Sequence, residues 1–93
     1  MEEKFVALWL ANRQKAVQLG IRMRPVETSE AMKTAHRWLT GSRESDGFAV
    51  LAGKRHLDLS LEALVIDKRF TALFTDDEAN TALQRLLSAG YRF

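Results

Sequence analysis

The 93-residue sequence contains no cysteine, so a disulfide framework, a thiolate nucleophile and a cysteine metal site are all excluded. It also has no apolar run long enough to act as a membrane anchor or export signal. The run at residues 5–11 has only seven residues, follows two acidic residues and precedes no small-residue cleavage site. Seven residues are far fewer than a membrane span needs. We therefore expect a cytoplasmic protein with no membrane partner.

An excess of charge of one sign is lacking too. Fourteen Lys and Arg against twelve Asp and Glu leave a formal net charge of +2, and both signs are scattered along the chain. Proteins that bind nucleic acid without sequence preference typically carry a block or stripe of basic residues. The linear sequence shows none, although folding could gather one on a face.

Histidine is scarce, since His36 and His56 are the two in the chain. Without cysteine or a His-Glu-x-x-His spacing, a zinc site would need carboxylates from distant segments. His56, Asp58 and Ser60 have the spacing of a triad on one side of a strand, but no oxyanion-stabilising element accompanies them. The turn at 53–56 lacks the upstream glycine and the following Ser or Thr of a phosphate loop. We expect no catalytic residue, no metal and no cofactor, and hence a protein that is not an enzyme.

Three segments have the apolar periodicity of helices, which predicts helices over residues 3–19, 28–40 and 76–89. Gly20, Gly41 and Gly90 follow these segments, as helix-terminating glycines do. The first helix has an apolar arc of roughly 200°, wider than one contact face requires. Either this helix is enclosed within the domain or part of it contacts another chain.

The remaining apolar segments favour strands near 21–26, 48–52, 57–62 and 64–74. The best hairpin signal is the turn Gly53–Arg55, because Leu57, Leu59 and Leu61 alternate with polar residues after it. Residues 61–66 are also compatible with a helical turn, but the β-branched and aromatic content beyond favours strand. The expected fold is a single α+β domain over residues 1–93, with a mainly antiparallel sheet of three or four strands packed by three helices.

The segment KAVQLGIRMRPV, residues 15–26, partly matches a helix-turn-helix motif. Ala16, Gly20 and Val26 occupy the expected small, turn and apolar positions. The second helix would, however, contain Pro25 in its interior, at a cost of about 3 kcal/mol. A helix that stops at Gly20 and is followed by a strand is the favoured interpretation.

The first functional hypothesis is a non-catalytic accessory or regulatory module that acts through protein contacts and self-associates as a homodimer. Its basis is the wide apolar arc of the first helix, which exceeds the needs of one core. The alternative explanation is that the two tryptophans close the core of a small domain. The candidate interaction surface comprises Phe5, Val6, Trp9, Leu10 and Val17.

The second hypothesis is a nucleic-acid-binding module with a basic face. Phosphate contact requires cations that converge in space, and single-strand recognition also requires exposed aromatic rings. The phenylalanines at 48, 70 and 74 are expected in the core instead. The candidate contacts are Arg22, Arg24, Lys54 and Arg55, with Lys68 and Arg69 as further members.

Overall fold

The computed structural model describes residues 1–91, and every regular element in that range is helical. Three single 3₁₀ turns connect the helices, at Thr28–Glu30, Leu57–Leu59 and Thr71–Leu73. The five α-helices are α1 (Glu2–Gln18), α2 (Ala31–Thr40), α3 (Phe48–Gly53), α4 (Leu61–Val65) and α5 (Asp76–Ser88).

The three long helices lie where the apolar periodicity predicts them, to within about three residues. α1 is followed by Gly20 (φ 86°) and α5 by Gly90 (φ 81°), both in the left-handed conformation. In each case the N–H of the next residue donates to a carbonyl five positions earlier, which closes the helix end. α5 begins with a reciprocal capping box between Thr75 and Glu78.

The predicted antiparallel sheet does not form, and the α+β prediction is wrong. No residue in the range 1–91 belongs to a strand, so the strands predicted near 21–26, 48–52, 57–62 and 64–74 are all absent. Residues 48–53 form α3, and 61–65 form α4, the helical option for that segment. Apolar runs of five or six residues are compatible with a buried strand or a short buried helix, and only the surrounding packing decides between them.

The apparent hairpin is the connection between α3 and α4. Arg55 has a positive φ of 61°, and the N–H of His56 donates to a carbonyl of α3 at 2.8 Å, so the turn ends a helix. Ser60 then caps α4 by accepting the N–H of Ala63 at 3.1 Å. The alternating leucines at 57, 59 and 61 are buried because a 3₁₀ turn and a helix start place all three against the core.

Residues 21–27 have no helical or strand assignment, so the second helix of a helix-turn-helix is absent as well. This segment returns alongside α1. Arg13, in the middle of α1 and 7% exposed, donates from Nη2 to the carbonyl oxygen of Arg24. Thr28 and Met32 then lie beside the N-terminal half of α1.

The core consists of two apolar clusters that both include α1 and α5. The first contains Phe5, Val6 and Trp9 of α1 together with residues of α2, α4, α5 and the phenylalanines at 70 and 74. The second contains Ala16 of α1 and Leu86 of α5 with Ile21, α3 and the leucines at 57 and 59. The wide apolar arc of α1 is therefore occupied largely by contacts within the chain. In the described range, no helix combines the length and apolar character needed to cross a membrane.

Candidate interaction surface

Arg13 and Asp46 organise the surface beside the C-terminal end of α1. Asp46 Oδ2 accepts the backbone N–H of Arg24 at 2.7 Å and lies 3.2 Å from Nη2 of Arg13. The Arg13 guanidinium also lies over the rings of Trp9 and Trp38, with its carbon 5.7 and 5.4 Å from the ring centroids. These contacts fix the backbone of residue 24 against α1. The Arg24 side chain is 86% exposed, and its Nε lies 3.9 Å from Oδ1 of Asp46.

A depression of about 680 Å³ lies at this position, and we call it the arginine face. It brings Val17, which is 48% exposed, next to Arg22 and Arg24. Val17 is a predicted protein-contact residue, whereas the two arginines are predicted phosphate contacts. The structure places all three in one depression. The full lining is Val17, Gly20, Ile21, Arg22, Met23, Arg24, Pro25 and Asp46.

A second depression of about 430 Å³ shares Arg24 and Asp46 with the arginine face and extends it toward the 41–47 loop. Arg37, from the last turn of α2, and Arg43 line it together with Trp38. Within residues 1–91, neither Arg37 nor Arg43 has a carboxylate within 4.0 Å. Four arginines therefore surround two adjoining depressions.

The other end of α1 carries a groove of opposite charge, which we call the acidic groove. Its volume is about 380 Å³, and the exposed carboxylates of Glu2 and Glu3 lie at its rim. Its apolar lining comes from Val6, Ala7 and Leu10 of α1, and Thr28, Ser29 and Met32 form the opposite wall.

The predicted protein-contact residues occupy different environments. Phe5 and Trp9 are 0% and 1% exposed and belong to the first core cluster, where they are not accessible to a partner. Val6 belongs to the same cluster but is 9% exposed and also lines the acidic groove. Leu10 is half-buried and lines the acidic groove. Val17 is the most accessible of the five and lines the arginine face.

The predicted basic residues belong to three different segments of the chain. Arg22 and Arg24 line the arginine face, whereas Lys54 and Arg55 end α3, and Lys68 and Arg69 follow α4. The lining of the arginine face includes neither of these other two pairs.

Arg69 is already engaged by a neighbouring carboxylate. Its Nε and Nη2 donate to both oxygens of Asp67 at 3.0 and 2.9 Å. These side-chain hydrogen bonds, together with one from the backbone N–H of Arg69, lower the pKa of Asp67 to about 2. A phosphate would have to compete with this carboxylate for the Arg69 guanidinium.

The 41–47 loop is held by a largely buried ion pair whose members are not among the site residues predicted from the sequence. Glu62 is fully buried, and its carboxylate accepts the N–H of Ser45 at 2.9 Å and the Ser45 hydroxyl at 2.5 Å. Arg85 of α5 donates from Nη1 to Glu62 at 3.1 Å and from Nη2 to the carbonyl of Gly41 at 3.0 Å. This network positions the loop that carries Arg43 and Asp46.

A second side-chain pair joins α2 to the start of α5. Nδ1 of His36 lies 2.6 Å from Oε2 of Glu78, while Oε1 of Glu78 accepts the N–H of Thr75 at 2.9 Å. Burial raises the pKa of Glu78, but the hydrogen bonds from Thr75 and His36 outweigh it and lower that pKa overall. Neither His36 nor Glu78 is among the site residues predicted from the sequence.

Of the three side chains considered for catalysis, that of Ser60 hydrogen-bonds the backbone. Ser60 caps α4 and donates its hydroxyl to the carbonyl of Leu57 at 2.6 Å. In residues 1–91 no three His, Asp or Glu side chains are grouped as a metal site would require. For the contact between Arg13 and Asp46 the sequence does offer a signal, because Arg13 lies within the apolar arc of α1. No family model, curated protein or solved structure matches this chain.

Proposed function

We propose that the chain is a non-catalytic module that acts through protein contacts made at the arginine face. The observation that supports this most directly is the composition of that depression. Exposed Val17 and Pro25 and half-buried Met23 lie beside the exposed arginines at 22 and 24. Methionine and arginine are enriched in protein interfaces, where apolar contact and charge recognition are combined.

The carboxylates within this surface favour a protein partner over a phosphate backbone. Asp46 lines both depressions and Glu44 lines the second, so negative charge lies among the arginines. The net charge of +2 also provides little long-range attraction for a polyanion. A protein surface that combines carboxylates with apolar side chains complements the arginine face better than a phosphate backbone does.

Nucleic-acid binding is the second candidate, supported by the depression that Arg24, Arg37 and Arg43 share. Phosphate contacts by several arginines would make binding strongly dependent on salt. A fluorescent oligonucleotide titrated at about 50 mM and about 200 mM salt measures that dependence. If no binding is detected at the lower salt concentration, nucleic-acid binding is excluded.

Site-specific photo-crosslinking in the cells that express the chain tests the protein-contact proposal. Val17 is replaced by a benzophenone amino acid, which reacts with whatever occupies the arginine face. The matched control carries the same group at Ala72, an exposed residue that lines neither depression.

The proposal predicts an adduct at position 17 that protease destroys and nuclease leaves intact, with little adduct at position 72. A nuclease-sensitive adduct would instead assign the face to nucleic acid. No adduct at position 17 above the control would overturn both candidates for this face.

A further inference from the structure

The exposed flank of α1 has the spacing of a helix–helix seam. Five residues recur at alternating intervals of four and three and lie within an arc of about 80° at 100° per residue. Such spacing lets one helix pack along another. Four of the five are exposed and the central leucine is half-buried, the five being Glu3, Ala7, Leu10, Gln14 and Val17.

The two ends of this seam carry opposite charge. The acidic groove, with Glu2 and Glu3, lies at the N-terminal end, and the arginine face lies at the C-terminal end, with Lys15 in the last helical turn. Ala7 and Val17 are about 15 Å apart along the axis, at 1.5 Å per residue. One straight helix cannot bring its own two ends together, so these two charged surfaces can pair with each other only between different molecules.

We propose that the protein partner is a second copy of this chain, which packs antiparallel along α1 about a two-fold axis near residues 10 and 11. This inference rests on the proposed function, for which it names the partner. In that arrangement position 7 of each copy faces position 14 of the other. The acidic groove of each copy then meets the arginine face of the other, so the charge attraction occurs twice.

Charge and symmetry both select the antiparallel arrangement. A parallel pair would place Glu2 and Glu3 against the same residues of the second copy, and arginines against arginines. A head-to-tail chain of copies would use one contact per neighbour and leave both ends of the assembly open. The two-fold pair satisfies both contacts in one closed dimer.

Charge reversal at each end tests the pairing. The variants E2K/E3K and R22E/R24E change only exposed side chains. Circular dichroism of each variant is the control for folding. Light scattering at roughly 100 µM, where a dimer with a Kd of about 10 µM is mostly formed, should give twice 10.6 kDa for the native chain. Each variant alone should give the monomer mass, because like charges then face each other.

Mixing the two variants provides the sharper result. Lysines at positions 2 and 3 of one variant would face glutamates at 22 and 24 of the other, and the remaining native ends would also attract. The mixture should therefore recover the dimer mass that both components lack. A mixture that stays monomeric, or a native chain that is monomeric at this concentration, overturns the inference.

Introduced cysteines report the orientation, and the chain has no cysteine of its own to interfere. The antiparallel pair predicts that A7C and Q14C cross-link when mixed under mild oxidation, while each alone does not. A72C mixed with Q14C is the control, because Ala72 lies outside α1. Cross-linking of A7C with itself would indicate a parallel pair and contradict the proposal.

The two proposals fail in different ways. A monomeric native chain that still gives a protein adduct at position 17 would remove the second copy as partner and leave the protein-contact function standing. An adduct of twice 10.6 kDa supports both. A nuclease-sensitive adduct removes the protein-contact function, whatever the mass in solution.

Discussion

At the scale of single residues, the most demanding feature is the fully buried carboxylate of Glu62. A charge removed from water is costly unless it is paired and hydrogen-bonded. Here two donors from Ser45 and one from Arg85 satisfy the carboxylate, and no buried side-chain nitrogen or oxygen in residues 1–91 is without a partner. Replacing Glu62 alone should therefore lower the free energy of unfolding by more than replacing Glu62 and Arg85 together.

Glu62→Ala is expected to lower the free energy of unfolding by about 3–5 kcal/mol, because the Arg85 side chain, which is only 10% exposed, loses its counter-charge and the two Ser45 donors lose their acceptor. Urea unfolding followed by circular dichroism measures the change. Glu44→Ala, which removes an exposed carboxylate nearby, is the matched control and should change stability by less than about 0.5 kcal/mol. The double variant E62L/R85M should be less destabilised than E62A, and the opposite order would contradict this account.

Arg55 illustrates a residue in a conformation that suits glycine. Its φ of 61° is left-handed, which costs a side chain other than glycine roughly 1–2 kcal/mol. Arg55→Gly is therefore expected to raise the free energy of unfolding by about 1 kcal/mol. Urea unfolding should show this as a higher midpoint concentration. Lys54→Gly, at a residue with φ −94°, should lower it instead. If R55G is instead less stable than the native chain, the contacts of the Arg55 side chain stabilise the fold by more than its left-handed backbone destabilises it.

At the scale of elements, side-chain pairs fix how the helices meet. His36 and Glu78 join α2 to the N-terminus of α5, and the ring of Phe74 lies 5.1 Å from the imidazole. Because the same carboxylate completes the capping box with Thr75, it serves the start of α5 and the contact with α2 together. Protonation of Glu78 therefore weakens the capping box of α5 as well as the contact between α5 and α2.

Glu78→Gln tests this through the acid dependence of stability. The folded-state pKa of Glu78 lies below its ordinary value of 4.5, so its contribution is fully present above about pH 4.5. It is lost as the pH falls through the lowered value. The free energy of unfolding of the native chain should therefore decrease with acid more steeply than that of E78Q. Asp77→Asn removes an exposed carboxylate from the same turn and should keep the native slope, whereas equal slopes for E78Q and the native chain would contradict the prediction.

At the scale of the whole molecule, α1 and α5 connect the two apolar clusters, since each helix contributes to both. Both tryptophans report on the first cluster, because Trp9 is part of it and Trp38 packs against it. Leu51, which is 1% exposed, belongs to the second. The connection by two helices predicts that the clusters unfold together.

Leu51→Ala is expected to destabilise the chain by about 2–5 kcal/mol through the cavity it leaves. Although the cavity lies in the second cluster, the tryptophan fluorescence transition in urea should shift by as much as the circular dichroism transition. Val50→Ala, at an exposed neighbour, controls for the change in helix composition. An unshifted fluorescence transition would show that the two clusters unfold separately.

The three long helices and their ends follow from local patterns of residues. Each has an apolar stripe of helical period, and α1 and α5 are followed by glycines that adopt the left-handed conformation. The capping box at the start of α5 likewise joins residues only three positions apart, Thr75 and Glu78. These features depend on interactions within about five residues, which the order of amino acids specifies directly.

What residues 48–74 form, and which polar residues meet, depends on contacts between distant parts of the chain. The apolar segments there are too short for their period to distinguish helix from strand, so their packing against α1 and α5 sets the outcome. Pairs such as Glu62 with Arg85 and His36 with Glu78 join positions more than twenty residues apart. The arginine face is assembled from the end of α1, the returning segment 21–25 and Asp46. Such convergence follows from the path of the chain, which no local pattern encodes.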